Sequence, residues 1–242
     1  IVSFVMSLYT KDYLLDGKLL YYQPKNGYRS GIEPIILSGQ IYSSISKKNI
    51  LDMGAGCGPI SLIISYRNSN SSVIGFEKND YHFELANKNK NENKLSNLEY
   101  FQKDVCKLDE NFLSYFDLIF TNPPFFFEDS VITSKNESIY DAKYTSKEKA
   151  ELWITNMVKY LKPEGKAYLI NRYENLSFML DLLKINKCYV GITPLLSFKG
   201  STPKNILLSV NKHEKYVEKK ENEIIIHTNS SAYSKDIKNW FK

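Results

Sequence analysis

The sequence predicts an α/β fold, a mostly parallel sheet flanked by helices and closed at one end by an antiparallel pair. Three observations carry this. Runs rich in β-branched residues alternate with longer amphipathic stretches along most of the chain. The glycine-rich stretch LDMGAGCG (51–58) sits where the first such run gives way to the first such stretch. The last two strand candidates are joined by SFKGSTPK (197–204), which reads as a turn.

Taken in order, the chain opens with KLLYYQPKNGYR (18–29), expected to form a hairpin around a Lys-Asn-Gly turn. GIEPIILSGQIYSS (31–44) then reads as a short helix with Pro34 in its first turn. Strands are expected at 49–53, 73–77, 98–101, 116–121, 166–171, 188–196 and 205–212, and helices at 59–67, 80–91, 146–161 and 174–185. Thr145 or Ser146 caps the third of these helices, whose apolar residues Ala150, Trp153, Ile154, Met157, Val158 and Leu161 recur at helical spacing before KPEG ends it. The tail from Lys215 is polar apart from a short strand at EIIIH and a closing NWF. One domain over 1–242 is expected, with 1–45 as a hairpin and short helix ahead of the core.

Composition narrows the function. A chain of 242 residues with 43% hydrophobic and 24% charged residues has the make-up of a globular protein, and no apolar run is long enough to cross a bilayer. The opening IVSFVMSLY lacks a basic n-region and a cleavage site, so it is not read as a signal peptide, and either the chain is trimmed at Ile1 or Met6 is its start. Cys57, Cys106 and Cys188 are too scattered for a disulfide framework or a zinc site, which makes a reducing cytoplasm the expected setting. His82, His213 and His227 are equally dispersed, so no metal is expected and each is expected at the surface. The net charge of +5 is compatible with a nucleic-acid partner, although only Arg29, Arg67 and Arg172 of its 32 basic residues are arginine.

Four features at strand ends could carry chemistry. Gly54, Gly56 and Gly58 let the backbone turn sharply and approach a ligand, but Pro59 stands where a dinucleotide fingerprint needs its third glycine. GxGxG preceded by Asp52 is instead the form that binds S-adenosylmethionine (SAM) in methyltransferases. Glu77 ends the next strand, where a carboxylate can accept from two ribose hydroxyls. Asp104 follows the third strand and suits an adenine amine. TNPPF (121–125) follows the fourth. There the prolines fix Asn122 and the Pro123 carbonyl as converging acceptors for one amino group, and Phe125 offers a flat face for a planar base.

Together these residues resemble the class I SAM-dependent methyltransferases that carry an (N/D)PP(Y/F) signature, in the small-domain methyltransferase group. QPKNGYRSGIEPIILSGQI (23–41), DAKYTSKEKAELW (141–153) and STPKNILLSV (201–210) are similar to segments of the bacterial enzymes that methylate N6 of adenosine 37 in a valine tRNA. Glu33 stands where that family has Asp, and Phe125 where Tyr is more frequent. The resemblance implies a Rossmann-like sheet of seven strands with the last reversed. It implies that Asp52, Gly54 and Gly56 meet the methionine part of SAM, with Ser30 and Gly31 closing over that end, Glu77 on the ribose and Asp104 on the adenine. It gives Asn122, Pro123 and Phe125 the target amine and base. Pro124, Phe126, Lys135 and Lys143, in or beside a polar stretch at 126–143, are expected to shape the acceptor side, with tRNA as partner. The alternatives are guanine N2 of ribosomal RNA, a glutamine side chain of a release factor, or an inactive RNA-binding platform of the same fold.

Overall fold

The structure, a computed structural model, describes residues 8–26, 29–41, 48–124, 126–127, 144–229 and 232–242. Phe125, Lys135, Lys143 and most of the 126–143 stretch lie outside them. The chain opens with a hairpin of β1 (Tyr9–Leu14) and β2 (Leu19–Pro24), paired antiparallel with Leu14 opposite Leu19. Gly27 of the expected Lys-Asn-Gly turn and Tyr28 after it lie outside the described residues; the turn of this hairpin is Leu15–Lys18, so β2 pairs with the segment before it. Leu15, Asp16 and Gly17 all take positive φ there, and Lys18 N–H donates to Leu15 O at 3.2 Å. The sequence YTKDYL alternates along β1 without a run of β-branched residues, which is why the earlier strand escapes a pattern reading.

Next come α1 (Glu33–Gly39), β3 (Asn49–Met53), α2 (Pro59–Arg67), β4 (Ser72–Glu77), α3 (Asp80–Glu92), β5 (Leu98–Gln102) and β6 (Phe116–Thr121). Past β6 are β7 (Phe126–Phe127) and β8 (Tyr144–Thr145), which pair with each other. Then follow α4 (Lys147–Tyr160), β9 (Leu161–Arg172), α5 (Leu176–Ile185), β10 (Cys188–Leu196) and β11 (Asn205–Lys212). The tail adds β12 (Val217–Lys220), β13 (Ile224–Ile225), β14 (His227–Asn229), β15 (Ala232–Tyr233) and α6 (Lys235–Trp240).

The central sheet runs β12-β10-β11-β9-β6-β3-β4-β5, with β13 also on the outer edge of β10. Strands β5, β4, β3, β6 and β9 are mutually parallel, and β11 is antiparallel to both neighbours. This is the expected seven-stranded sheet with its last strand reversed, a Rossmann-like architecture. β12 and β13 extend it past the expected edge. β13 falls within the expected EIIIH strand, whereas β12, VEKK, is short and mostly exposed, so its polar sequence hid it.

Side chains of the parallel strands alternate between two cores. Ile50 and Phe120 face α1, α2 and the hairpin, while Leu51, Met53, Phe116 and Ile119 face α4 and α5. Helix α2 is buried nearly all round, from Pro59 to Ser65, because α1 covers it from outside. Helix α4 is capped by Ser146, whose hydroxyl accepts from Lys149 N–H at 3.3 Å. It stops at Tyr160, and the chain passes straight into β9, so KPEG lies inside a strand with an irregular register against β6 and is not a helix terminator. The parallel strands therefore deliver residues 52–58, 77, 104 and 121–124 to one carboxyl rim.

Candidate active site

The glycine loop is bent by necessity. Gly54, Gly56 and Gly58 have φ of +79°, +58° and +82°, values that L side chains rarely adopt. A Cβ on Gly54 would also lie 2.6 Å from the Trp153 ring, and one on Gly58 1.9 Å from the Tyr100 hydroxyl oxygen, whereas a Cβ on Gly56 would meet nothing within 4 Å. Gly54 and Gly58 thus serve packing as well as the turn, and Gly56 borders open space. The loop is pinned to β4 because Gly54 and Ala55 N–H both donate to Phe76 O, at 3.0 and 2.8 Å.

Two carboxylates brace the loop. Glu77 Oε2 accepts from Gly56 N–H at 2.7 Å and Oε1 from Asn79 N–H at 2.8 Å, so its carboxylate bridges the loop and the start of α3. Asp52, only 1% exposed, accepts from Ser61 N–H at 3.0 Å through Oδ2, and its buried Oδ1 has no partner among the described residues. Burial pushes the Asp52 carboxyl up to about 7 against the pull of the Ser61 hydrogen bonds, with the charge of Glu77 raising it further. Asp104 organises its own turn, Oδ1 accepting from Cys106 N–H at 3.0 Å.

A cleft of ≈ 460 Å³ opens over the loop. Gly54, Gly56, Cys57, Ser30, His82 and Asn122 are among the residues lining it. The structure thus brings the glycine loop, Ser30 and the TNPP asparagine to one cavity. Asp52 lies beneath the loop, Glu77 and Asp104 stand on the same rim outside the cleft wall, and Gly31 is exposed with Glu33 folded over it. His82 corrects the surface expectation: it is 7% exposed, because Asn79 caps α3 by accepting from His82 N–H at 3.0 Å and the first turn faces inward. Burial holds the imidazole pKa down, opposed by the charge of Glu77. Cys57 is also buried, which pushes its thiol up to about 12 and leaves it inert as a nucleophile.

Two supports were not legible as site residues. Trp153 Nε1–H donates to Thr121 Oγ1 at 3.0 Å, and Thr121 Oγ1–H donates to Met53 O at 2.7 Å, so one indole links α4, the strand before Asn122 and the strand before Gly54. Pro123 and Pro124 line a second cavity of ≈ 320 Å³ beside this indole and Met179. Asn89, fully buried on α3, treats β2 as a strand partner. Its Oδ1 accepts from Tyr22 N–H at 2.6 Å, and its Nδ2 donates to Tyr22 O and to Cys57 O, both at 2.9 Å. Ser30 is positioned from the same hairpin, by Tyr21 Oη at 2.8 Å and by Gln23 Oε1, which accepts from Ser30 N–H at 3.2 Å. Gln23 and Arg29 both donate to Asp12 Oδ2, at 2.9 Å each.

Residues 36–176 match the Methyltransferase small domain family, which is more than half of the chain. The chain belongs to that family. As a member of it, the chain is a SAM-dependent methyltransferase, and its cleft fits such a cofactor: Gly56 leaves open space where a Cβ would stand, and Glu77 is within reach of the loop. This methyltransferase is 26% identical over 222 residues to a tRNA1(Val) (adenine(37)-N6)-methyltransferase of Histophilus somni, covering 89% of each chain. It is 36% identical over 95 residues to a release factor glutamine methyltransferase of Fusobacterium nucleatum, covering 39% of this chain and 26% of that one. Its fold resembles that of a predicted O-methyltransferase from Agrobacterium tumefaciens, with a TM-score of 0.69 at 17% identity over 86% of this chain and 96% of that one. A TehB-like SAM-dependent methyltransferase from Corynebacterium glutamicum matches with a TM-score of 0.51 at 14% identity, over 77% of this chain and 90% of that one.

Proposed function

We propose that this methyltransferase modifies an exocyclic amine of a nucleic-acid base, N6 of adenosine 37 in a tRNA. The observation that carries the reading is that Asn122 and the glycine loop line one cleft. The adenine-N6 name of the full-length relative supports it.

When bound, SAM supplies a methyl group already activated on a sulfonium. Gly54 and Gly56 receive its methionine end. Asp52 acts there through the loop and α2, because a carboxylate so enclosed has no open path to a ligand. Ser30 and Gly31 close that end, Glu77 takes the ribose and Asp104 the adenine. Asn122 and the Pro123 carbonyl hold the two hydrogens of the target amine, so the nitrogen lone pair faces the methyl group. Phe125 stacks on the target ring, and Pro124, Phe126, Lys135 and Lys143 form the acceptor side. Orientation supplies most of the acceleration. The nitrogen loses its proton to water once the new bond has formed, and no general base is assigned. The target base must stand out of its stack to reach Asn122, which an anticodon loop allows without opening a duplex.

Asn122→Ala is expected to lower methyl transfer roughly a hundredfold or more. SAM affinity, measured by calorimetry, is expected to stay close to that of the parent. Full activity in this variant would remove the amine clamp. The similarity to a glutamine methyltransferase supplies the second reading. Radiolabelled transfer to bulk tRNA, set against transfer to a release-factor domain, separates the two.

A further inference from the structure

The rim beyond Asn122 carries a preformed aromatic and basic surface on the three neighbouring strands. Across the sheet from β6 the order is β9, β11, β10, so the ends that meet this rim span three strand spacings, roughly 14 Å. Arg172 ends β9 opposite Asn205, which starts β11, and Leu195 of β10 pairs with Asn205 from the other side. Just past these ends stand Tyr173 and Phe198, 41% and 39% exposed, with exposed Lys199 and Lys204. The loop that holds Phe198 is fixed. Phe198 O accepts from Ser201 N–H at 3.0 Å and from Ser201 Oγ–H at 2.8 Å, and Gly200 takes a φ of +80°. Phe198 rests on His227 at 5.7 Å between centroids, and His227 stacks on Tyr233. Tyr173 N–H donates to Lys204 O at 2.9 Å, which ties this loop to the end of β9. Arg172 pairs with Glu174 at 3.6 Å, and Glu174 is the only acid among residues 171–175 and 197–204, against Arg172, Lys199 and Lys204.

We infer that this surface receives the unpaired nucleotides flanking the target base, with Tyr173 and Phe198 as stacking faces and Lys199 and Lys204 on phosphates. The inference rests on the reading of an RNA acceptor. The charge balance favours a polyanion, and exposed rings held by tight turns give up little entropy on stacking.

The test measures equilibrium binding of bulk tRNA by fluorescence anisotropy between about 50 and 200 mM salt, alongside SAM affinity and methyl transfer. Phe198→Ala and Tyr173→Ala are each expected to weaken tRNA binding about tenfold. Lys199→Gln with Lys204→Gln is expected to flatten the slope of log K against log salt by roughly 1.5, with SAM affinity unchanged, and the Arg pair to restore it. If the parent binds and methylates tRNA and all the variants match it, this surface is not the RNA site while the acceptor reading stands. If the parent neither binds nor methylates tRNA, both fall.

Discussion

Asp52 sits at the bottom of the glycine loop with a carboxyl titrating near 7, some three units above its ordinary range. The folded protein therefore keeps a proton on Asp52 between about pH 4 and pH 7 that the unfolded chain has lost. Stability from this group is greatest at low pH, falls as pH rises through that window, and levels off above it. Asp52→Asn removes the buried charge, so its stability relative to the parent should improve between pH 4.5 and 8 by on the order of 3 kcal/mol. Denaturant melts at the two pH values check this, and parallel curves for the two proteins would contradict it. Gly54 makes the opposite kind of demand. Gly54→Ala puts a methyl group against Trp153 in a backbone already at positive φ, and both effects are unfavourable. A loss of stability of roughly 1–3 kcal/mol is expected, together with weaker SAM binding.

The helices and strands do their work in pairs. Helix α3 reaches the hairpin through two asparagines one turn apart. Asn93 Oδ1 accepts from Leu20 N–H at 2.8 Å and its Nδ2 donates to Leu20 O at 2.7 Å, as Asn89 does for Tyr22. Asn89 alone also holds the glycine loop at Cys57 O. Asn89→Ala would strand three backbone groups in a dry setting and should cost roughly 3 kcal/mol or more. Asn93→Ala, with partners only in β2 and its own helix, should cost less and leave SAM affinity untouched. Equal effects of the two on SAM affinity would show that the Cys57 contact does not shape the cleft. Trp153 plays the matching part on the other sheet face, where one hydrogen bond to Thr121 sets the strand that leads into Asn122.

At the scale of the molecule, the cleft is assembled from the hairpin, the glycine loop, the start of α3 and the end of β6. A ligand bound there ties these elements together. SAM at a hundredfold excess over its Kd should add about 2.7 kcal/mol and raise the melting temperature by roughly 5–10 °C. Hydrogen exchange should slow at Tyr22 N–H, across the Asn89 bridge, and not only in the loop. The sequence by itself determined the strands and helices of the core, the one-sided placement of the glycine loop, Glu77, Asp104 and TNPP, and the reversed strand β11, because these depend on local pattern and on glycine and proline backbone limits. The tertiary structure decided which of those residues share a cavity. Ser30, His82 and Asn122 are far apart in the chain, and only the packing of the hairpin and α3 over the loop brings them together. The same packing buried Asp52 and made Asn89 and Trp153 supports of the cleft. Hydrogen bonds across 30 or more residues leave no periodic trace in a sequence, so such partners become visible only when the chain is folded.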